Sequence, residues 1–262
     1  MSTDKLSIDW YNQNSEEYTN HVRNPDDSIY HSLYEKPAMY SLLPNLDSMS
    51  VISLGCGSGE DCNYLAKHGA SKVTGIDIST GMIEIAKKSY PMYQFQVMDM
   101  ENLAFGDSSF DFAYSSLAIH YLEDWSKVFK EVYRVLKPGS YFLFSCNHPV
   151  SSSMELTRDD DKFSIRQLTR TKDRQNDHVE IVGDYMHRKA FIGQGTFNVT
   201  TWHKSFSEIS KESSKAGFVI TNIIEPNPLP KMEKLSLVSY RSLLKIPDFL
   251  ILKLLKTETV IR

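Results

Sequence analysis

The sequence predicts an α/β protein: a doubly wound, mainly parallel sheet of seven strands, with an antiparallel β insertion after the fifth strand. Three observations predict it. Short apolar runs alternate with amphipathic runs from residue 51 to 146, the rhythm of strands joined by crossover helices. A polar stretch rich in Thr, Val, Ile and aromatics interrupts that rhythm between about 151 and 202. The alternation then resumes and adds two more apolar runs.

Residues 1–47 carry several aromatics and weak helical periodicity, which predicts one or two helices laid over the sheet. Val51 to Leu54 reads as a buried strand. Glu60 to His68 follows with Cys62, Leu65 and Ala66 at helical spacing, and Gly69 falls where a C-cap glycine belongs. Lys72 to Ile76 is the second strand, ending at Asp77. Ser79 or Thr80 caps the next helix, and Lys87 and Lys88 suit its negative end. Tyr93 to Met98 is the third strand, ending at Asp99, and Phe110 to Tyr114 is the fourth. Trp125, Val128, Phe129, Val132, Tyr133 and Leu136 share one helical face, which Lys137-Pro138-Gly139 stops. Tyr141 to Phe144 is continuously apolar, as a strand buried on both faces requires.

Segments 162–170, 178–192 and 196–202 read as the inserted antiparallel strands. Residues 151–190 balance eight Lys or Arg against eight Asp or Glu, which suits a solvated sheet face better than a stripe that tracks phosphates. A helix over 206–215 ends at Gly217, Phe218 to Ile224 is a strand, EPNPLP is a loop, 231–244 is helical, and Phe249 to Leu255 is the last strand.

Composition narrows the function. At 41% hydrophobic and 24% charged, the 262 residues describe an ordinary globular protein. A net charge of −4 argues against a nucleic-acid partner. Cys56, Cys62 and Cys146 are too few and wrongly spaced for a disulfide framework or a Cys-rich metal site, and no metal is expected. No secretory leader and no membrane-length apolar run is visible, so a cytoplasmic location is expected.

The turn LGCGSG (54–59) joins the first strand to the first crossover helix. Bare backbone there lets a ligand approach closely, at the strand edge where α/β sheets bind ligands. A dinucleotide fingerprint needs a small residue where this chain has Glu60, whose carboxylate would face a pyrophosphate. Asp77 ends the second strand, where an acid accepts from ribose hydroxyls. Asp99 ends the third and can accept from an exocyclic amine. The set suggests an adenosine without phosphates.

Five pieces in order then resemble the class I S-adenosylmethionine-dependent methyltransferases of the small-molecule type, similar to methyltransferase type 11: LGCGSG, GIDIS (75–79), VMDMENLAF (97–105), FDFAYSSLAIHYL (110–122) and EVYRVLKPGS (131–140). Ser140 stands where a second glycine is usual, and the resemblance thins after 150. It implies a Rossmann-like core and S-adenosyl-L-methionine as cofactor. It implies that Gly55, Gly57 and Gly59 border the methionine, Asp77 holds the ribose, Ile78 packs on the adenine, and Asp99 and Met100 flank the adenine's amino edge. It also implies that Ser115 lies beside the methionine and that Tyr18, with Tyr11 as a second candidate, closes a lid near the sulfonium. The expected organisation is a helical lid segment (1–47), a cofactor-binding core (48–150), a β-rich substrate-side insertion (151–203) and the C-terminal part of the core sheet (204–262).

For the acceptor side, His120 and His148 follow the fourth and fifth strands, on the edge where a substrate must sit, and are the candidate bases. Tyr34, His203 and Glu225 are candidate substrate contacts. Phe163, Tyr185, Phe191, Phe197 and Trp202 form either apolar pocket walls or the insertion's own core, and His31, His178 and His187 are expected at the surface. Three rival functions stay open: a non-catalytic sensor of the cofactor or a metabolite, an RNA or protein methyltransferase, and a nicotinamide-dependent oxidoreductase, against which Glu60 argues.

Overall fold

A computed structural model describes residues 3–159, 163–173, 178–193 and 197–257. Helices α1 (Lys5–Gln13) and α2 (Ser15–Arg23) lead to a π-helical turn (His31–Glu35) that runs directly into α3 (Lys36–Ser41). The core then alternates as the sequence predicts: β1 (Ser50–Leu54), α4 (Glu60–Lys67), β2 (Lys72–Asp77), α5 (Thr80–Ser89), β3 (Gln94–Val97) and β4 (Phe110–Ser115). A short 3-10 turn (Ile119–Tyr121) precedes α6 (Ser126–Val135) and the long β5 (Leu136–Asn147). The insertion holds α7 (Pro149–Ser153) and three hairpins: β6 (Glu155–Asp159) with β7 (Phe163–Gln167), β8 (Thr169–Asp173) with β9 (His178–Val182), and β10 (Lys189–Ile192) with β11 (Thr200–His203). Then follow α8 (Phe206–Lys215), β12 (Phe218–Ile224), α9 (Lys231–Leu235), α10 (Leu237–Leu243) and β13 (Phe249–Lys256).

The seven-stranded sheet has the order β12-β13-β5-β4-β1-β2-β3. Strands β5, β4, β1, β2 and β3 run parallel, and β13 and β12 pair antiparallel on the β5 side. The order reverses beside β1, so the carboxyl ends of β1, β2 and β4 surround one crevice.

Strand alternation sends side chains to two cores. Ile52, Leu54, Phe142 and Phe144 pack with Val128, Phe129 and Val132 of α6 on one face. Val51, Phe112, Tyr114 and Leu143 pack with Cys62, Leu65, Ile83 and Met39 on the other. Each such fully buried Leu, Val or Phe contributes about 1.5–3 kcal/mol. Ser79 caps α5 by accepting from Met82 N–H at 3.2 Å. The single helix expected over 231–244 is two: Ser236 leaves helical geometry and caps α10 by accepting from Ser239 N–H at 3.3 Å. No helix among the described residues is long and apolar enough to cross a membrane.

Candidate active site

Between Leu54 and Glu60 the chain must turn from a buried strand into a helix. Gly55, Gly57 and Gly59 all take positive φ, at 64°, 52° and 91°, a region that side chains rarely enter. They are glycine for different reasons. A Cβ on Gly55 would lie 2.3 Å from Ala118 Cβ. One on Gly59 would lie 2.9 Å from Phe95 Cζ and 3.1 Å from Tyr90 Cδ2. One on Gly57 would meet nothing within 4 Å.

Gly55 and Gly57 line a narrow cavity of about 80 Å³ at the carboxyl edge of the sheet. From β2 come Asp77 and Ile78, from beyond β3 come Met98, Asp99 and Met100, and Met82 of α5 closes the side. Ser116, Leu117 and Ala118 follow β4 into it. Leu117 takes φ 49° there, and its N–H donates to Ser145 Oγ at 2.9 Å. Asp77 ties the edge together, accepting from Gly57 N–H and Ser79 N–H, each at 2.9 Å. Burial pushes its carboxyl up, and these N–H donors pull it back.

The N-terminal helices roof the cavity. Tyr11 and Tyr18 line it, and their rings meet edge-on at 5.2 Å. Tyr11 OH lies 2.6 Å from Tyr121 OH, on the far lip. Asn12 Oδ1 accepts from Ser79 Oγ, Thr80 Oγ1 and Gly81 N–H at 2.7, 3.2 and 3.2 Å, which pins α1 to the start of α5. Arg23 donates to Glu60 Oε1 at 2.6 Å, so the carboxylate at the head of α4 is neutralised from the roof. The insertion joins in: Thr200 N–H donates to Ser7 Oγ at 2.9 Å, and Phe197 packs on Trp10 with ring centroids 4.5 Å apart.

Of the residues expected around a cofactor, Tyr18, Gly55, Gly57, Asp77, Ile78, Asp99 and Met100 line this one cavity. Two do not. Gly59 is glycine because Phe95 and Tyr90 crowd it. Ser115 is the last residue of β4, its side chain turned inward to donate to Leu54 O at 3.0 Å, and its neighbour Ser116 faces the cavity instead.

The acceptor-side residues are scattered. His120 is 5% exposed and outside the cavity wall, with Nδ1 accepting from Asn147 N–H at 3.3 Å; burial pushes its imidazole down to about 3. His148 is 2% exposed and caps α7, Nδ1 accepting from Val150 N–H at 3.2 Å and Nε2 lying 3.0 Å from Glu225 Oε1. Glu225 itself is exposed. His203 is fully buried between Ser152 Oγ at 2.7 Å and Tyr185 O at 2.9 Å. Tyr34 is buried too, its hydroxyl accepting from Asp248 N–H at 3.1 Å. These four buried groups hold the fold together and do not face the cavity. His31, expected at the surface, is half-buried, whereas His187 is exposed. Among the insertion's described aromatics, Phe197 reaches the roof and Tyr185 packs on His203; the side chains of Phe163 and His178 lie outside the described residues.

Sequence reasoning missed Ser116, Leu117, Ala118 and Tyr121. All lie in the SSLAIHY run after β4, so their place at the strand edge was the available signal. It also missed a buried group behind Ser116, formed by Glu35, Lys36 and Asp61, for which adjacent charges near a helix start give no signal.

Residues 52–144 match the family described as a methyltransferase domain. The chain is 30% identical to a malonyl-[acyl-carrier protein] O-methyltransferase of Pectobacterium atrosepticum, over 41% of this chain and 42% of that protein. It is 36% identical to a demethylmenaquinone methyltransferase of Chlorobaculum parvum, over 34% of this chain and 37% of that protein. The alignments thus span less than half the length of these relatives. The crystal structure of an S-adenosylmethionine-dependent methyltransferase from Mesorhizobium loti superposes with a TM-score of 0.69 at 25% identity, over 87% of this chain and 99% of that one.

Proposed function

We propose that this protein, whose residues 52–144 match a methyltransferase domain and whose fold is that of an S-adenosylmethionine-dependent methyltransferase, moves a methyl group from S-adenosyl-L-methionine to an O, N or C atom of a small organic acceptor by in-line displacement. One observation carries the reading: a single cavity is bordered by the bare backbone of Gly57, which faces open space, and by the carboxyls of Asp77 and Asp99. That arrangement fits an adenosine. Asp77 accepts from the ribose hydroxyls, Ile78 and Met100 face the adenine, and Asp99 takes its amino edge. Gly55, Gly57 and Ser116 border the methionine, and Tyr18 and Tyr11 close over the sulfonium.

The cofactor supplies a methyl on a good, neutral leaving group. What remains for the chain is alignment and exclusion of water. The tyrosine roof and the tie between Ser7 and Thr200 serve the second need. The lid segment (1–47) and the insertion (151–203) together frame the acceptor side. His120 and His148 are poor proton acceptors, because burial lowers both imidazoles. Relatives named for methylating malonyl-[acyl-carrier protein] and demethylmenaquinone support a small organic acceptor.

Asp77→Ala tests the cofactor assignment. It should weaken S-adenosylhomocysteine binding by about 1–3 kcal/mol, the worth of charge-assisted hydrogen bonds. Unchanged affinity in a calorimeter would remove Asp77 from the site. Incubating cell metabolites with methyl-labelled cofactor, then finding the labelled product by mass spectrometry, identifies the acceptor; no labelled product would count against transfer.

A further inference from the structure

Glu35 closes the π-helical turn and is 0% exposed. Its Oε1 accepts from Ser145 Oγ at 2.5 Å and from Ser116 Oγ at 3.0 Å. Its Oε2 has no hydrogen-bond partner among the described residues. Lys36, next in the chain, donates to Asp61 and, at 2.8 Å, to Ser116 Oγ; its Nζ stays 4.0 Å from Glu35 Oε2. Tyr40 OH donates to the other oxygen of Asp61 at 2.8 Å. Two carboxyls therefore share one ammonium in a buried place. Asp61 takes the ammonium, and Glu35 is left with hydroxyls and one free oxygen. Ser116 belongs to both worlds, since it binds Glu35 and Lys36 and also lines the cavity.

We propose that Glu35 is a proton-exchanging residue of the methyl-transfer site, protonated in the free protein and ionised when a sulfonium cofactor fills the cavity on the other side of Ser116. The inference rests on the cofactor reading above. A buried carboxyl without a full counter-charge keeps its proton. S-adenosylmethionine carries a sulfonium, an ammonium and one carboxylate, so it brings net positive charge to the cavity. A positive charge close by favours the carboxylate, and the proton leaves to solvent. S-adenosylhomocysteine has the same skeleton without the sulfonium charge and should drive the change less.

The surrounding groups agree with this assignment. Burial pushes Glu35 up, Lys36 opposes it and Asp61 adds to it. Tyr114, Tyr40 and Tyr18, which face the cluster from β4, α3 and α2, are also pushed up by burial and stay neutral. His31 is driven down to about 4 and His120 to about 3, so neither has a proton to give at neutral pH. Asp77 is a competing source, since burial raises it and it borders the same cavity.

Calorimetric titration with S-adenosylmethionine, at one pH in two buffers of different ionisation enthalpy, counts the protons released. The wild type should release protons with S-adenosylmethionine and fewer with S-adenosylhomocysteine. Its affinity for S-adenosylmethionine should rise with pH, by at most about tenfold per unit. Glu35→Gln should bind without release and with a flat pH dependence, whereas Asp77→Asn should bind more weakly and still release. Equal release with both compounds, no release from the wild type, or release that survives in Glu35→Gln and vanishes in Asp77→Asn would each overturn the inference. If Glu35→Gln fails to fold, Asp77→Asn decides: the larger release with S-adenosylmethionine than with S-adenosylhomocysteine should persist in that variant, and its loss there would overturn the inference. If neither compound binds the wild type, the cofactor reading itself falls.

Discussion

The three glycines of one turn should answer differently to the same added methyl. Gly55→Ala and Gly59→Ala collide with Ala118 and Phe95 and should cost about 1–3 kcal/mol of stability through overpacking and backbone strain. Gly57→Ala collides with nothing. It should cost only the strain of its φ of 52°, about 1 kcal/mol, a strain that Gly55 and Gly59 share beneath their clashes, and yet lose most of its S-adenosylhomocysteine affinity. Thermal melts beside calorimetry separate the two effects. His120 makes a second expectation. Its folded imidazole is held near 3, below the unfolded value, so the unfolded chain binds the extra proton. The stability from keeping it neutral is complete above about pH 6.5 and is lost as pH falls from there towards 3. At pH 5 the loss is about 2 kcal/mol, and His120→Gln should make that part of the stability–pH curve shallower in denaturant titrations, with the slope that His31 and His148 contribute remaining. At this scale the sequence was legible only in part. Asp77 and Asp99 sit at strand ends, and strand ends are visible. Which of Ser115 and Ser116 turns inward depends on where β4 stops, and a one-residue difference reverses the answer. His120 and His148 were on the expected edge, but burial there is decided by chain segments far away in sequence.

Helix α6 and the apolar core strands could be read directly, because each keeps one clear period over its length. The break at Ser236 could not, since the apolar spacing continues past it and only the side-chain cap marks the stop. The π-helical turn was equally hidden: it is one extra residue in a helix, and no residue type announces it. Yet that turn positions Glu35. Helix α1 offers a test of how the roof is held. Asn12→Ala removes one acceptor shared by three donors at the start of α5. The expected cost is about 1 kcal/mol, typical of a lost helix cap. More tellingly, S-adenosylhomocysteine should leave faster, which stopped-flow displacement would measure; an unchanged off-rate would mean that α1 does not gate the cavity.

Over the whole molecule, the insertion is joined to the core by Glu212 of α8. This carboxylate is 6% exposed. It accepts from Arg188 at 2.7 Å, from Lys204 at 2.7 Å and from Trp125 N–H at 3.1 Å. Lys204 is itself 2% exposed, over the Trp125 ring at 5.2 Å. Glu212→Ala would leave that ammonium buried and unpaired, so about 3–5 kcal/mol of stability should be lost in urea denaturation. A change under 1 kcal/mol would mean that water reaches Lys204 in solution. The sheet was legible because two periodicities alternate along the chain. The pairing of the insertion with α1 was not, because it is written in single hydrogen bonds between distant residues. That pairing has a consequence for biogenesis. Ser7 leaves the ribosome 193 residues before Thr200, the partner that fixes it. Until then the nascent chain carries a half-built doorway, and the vestibule can be sealed only after the strand that holds Thr200 has been made.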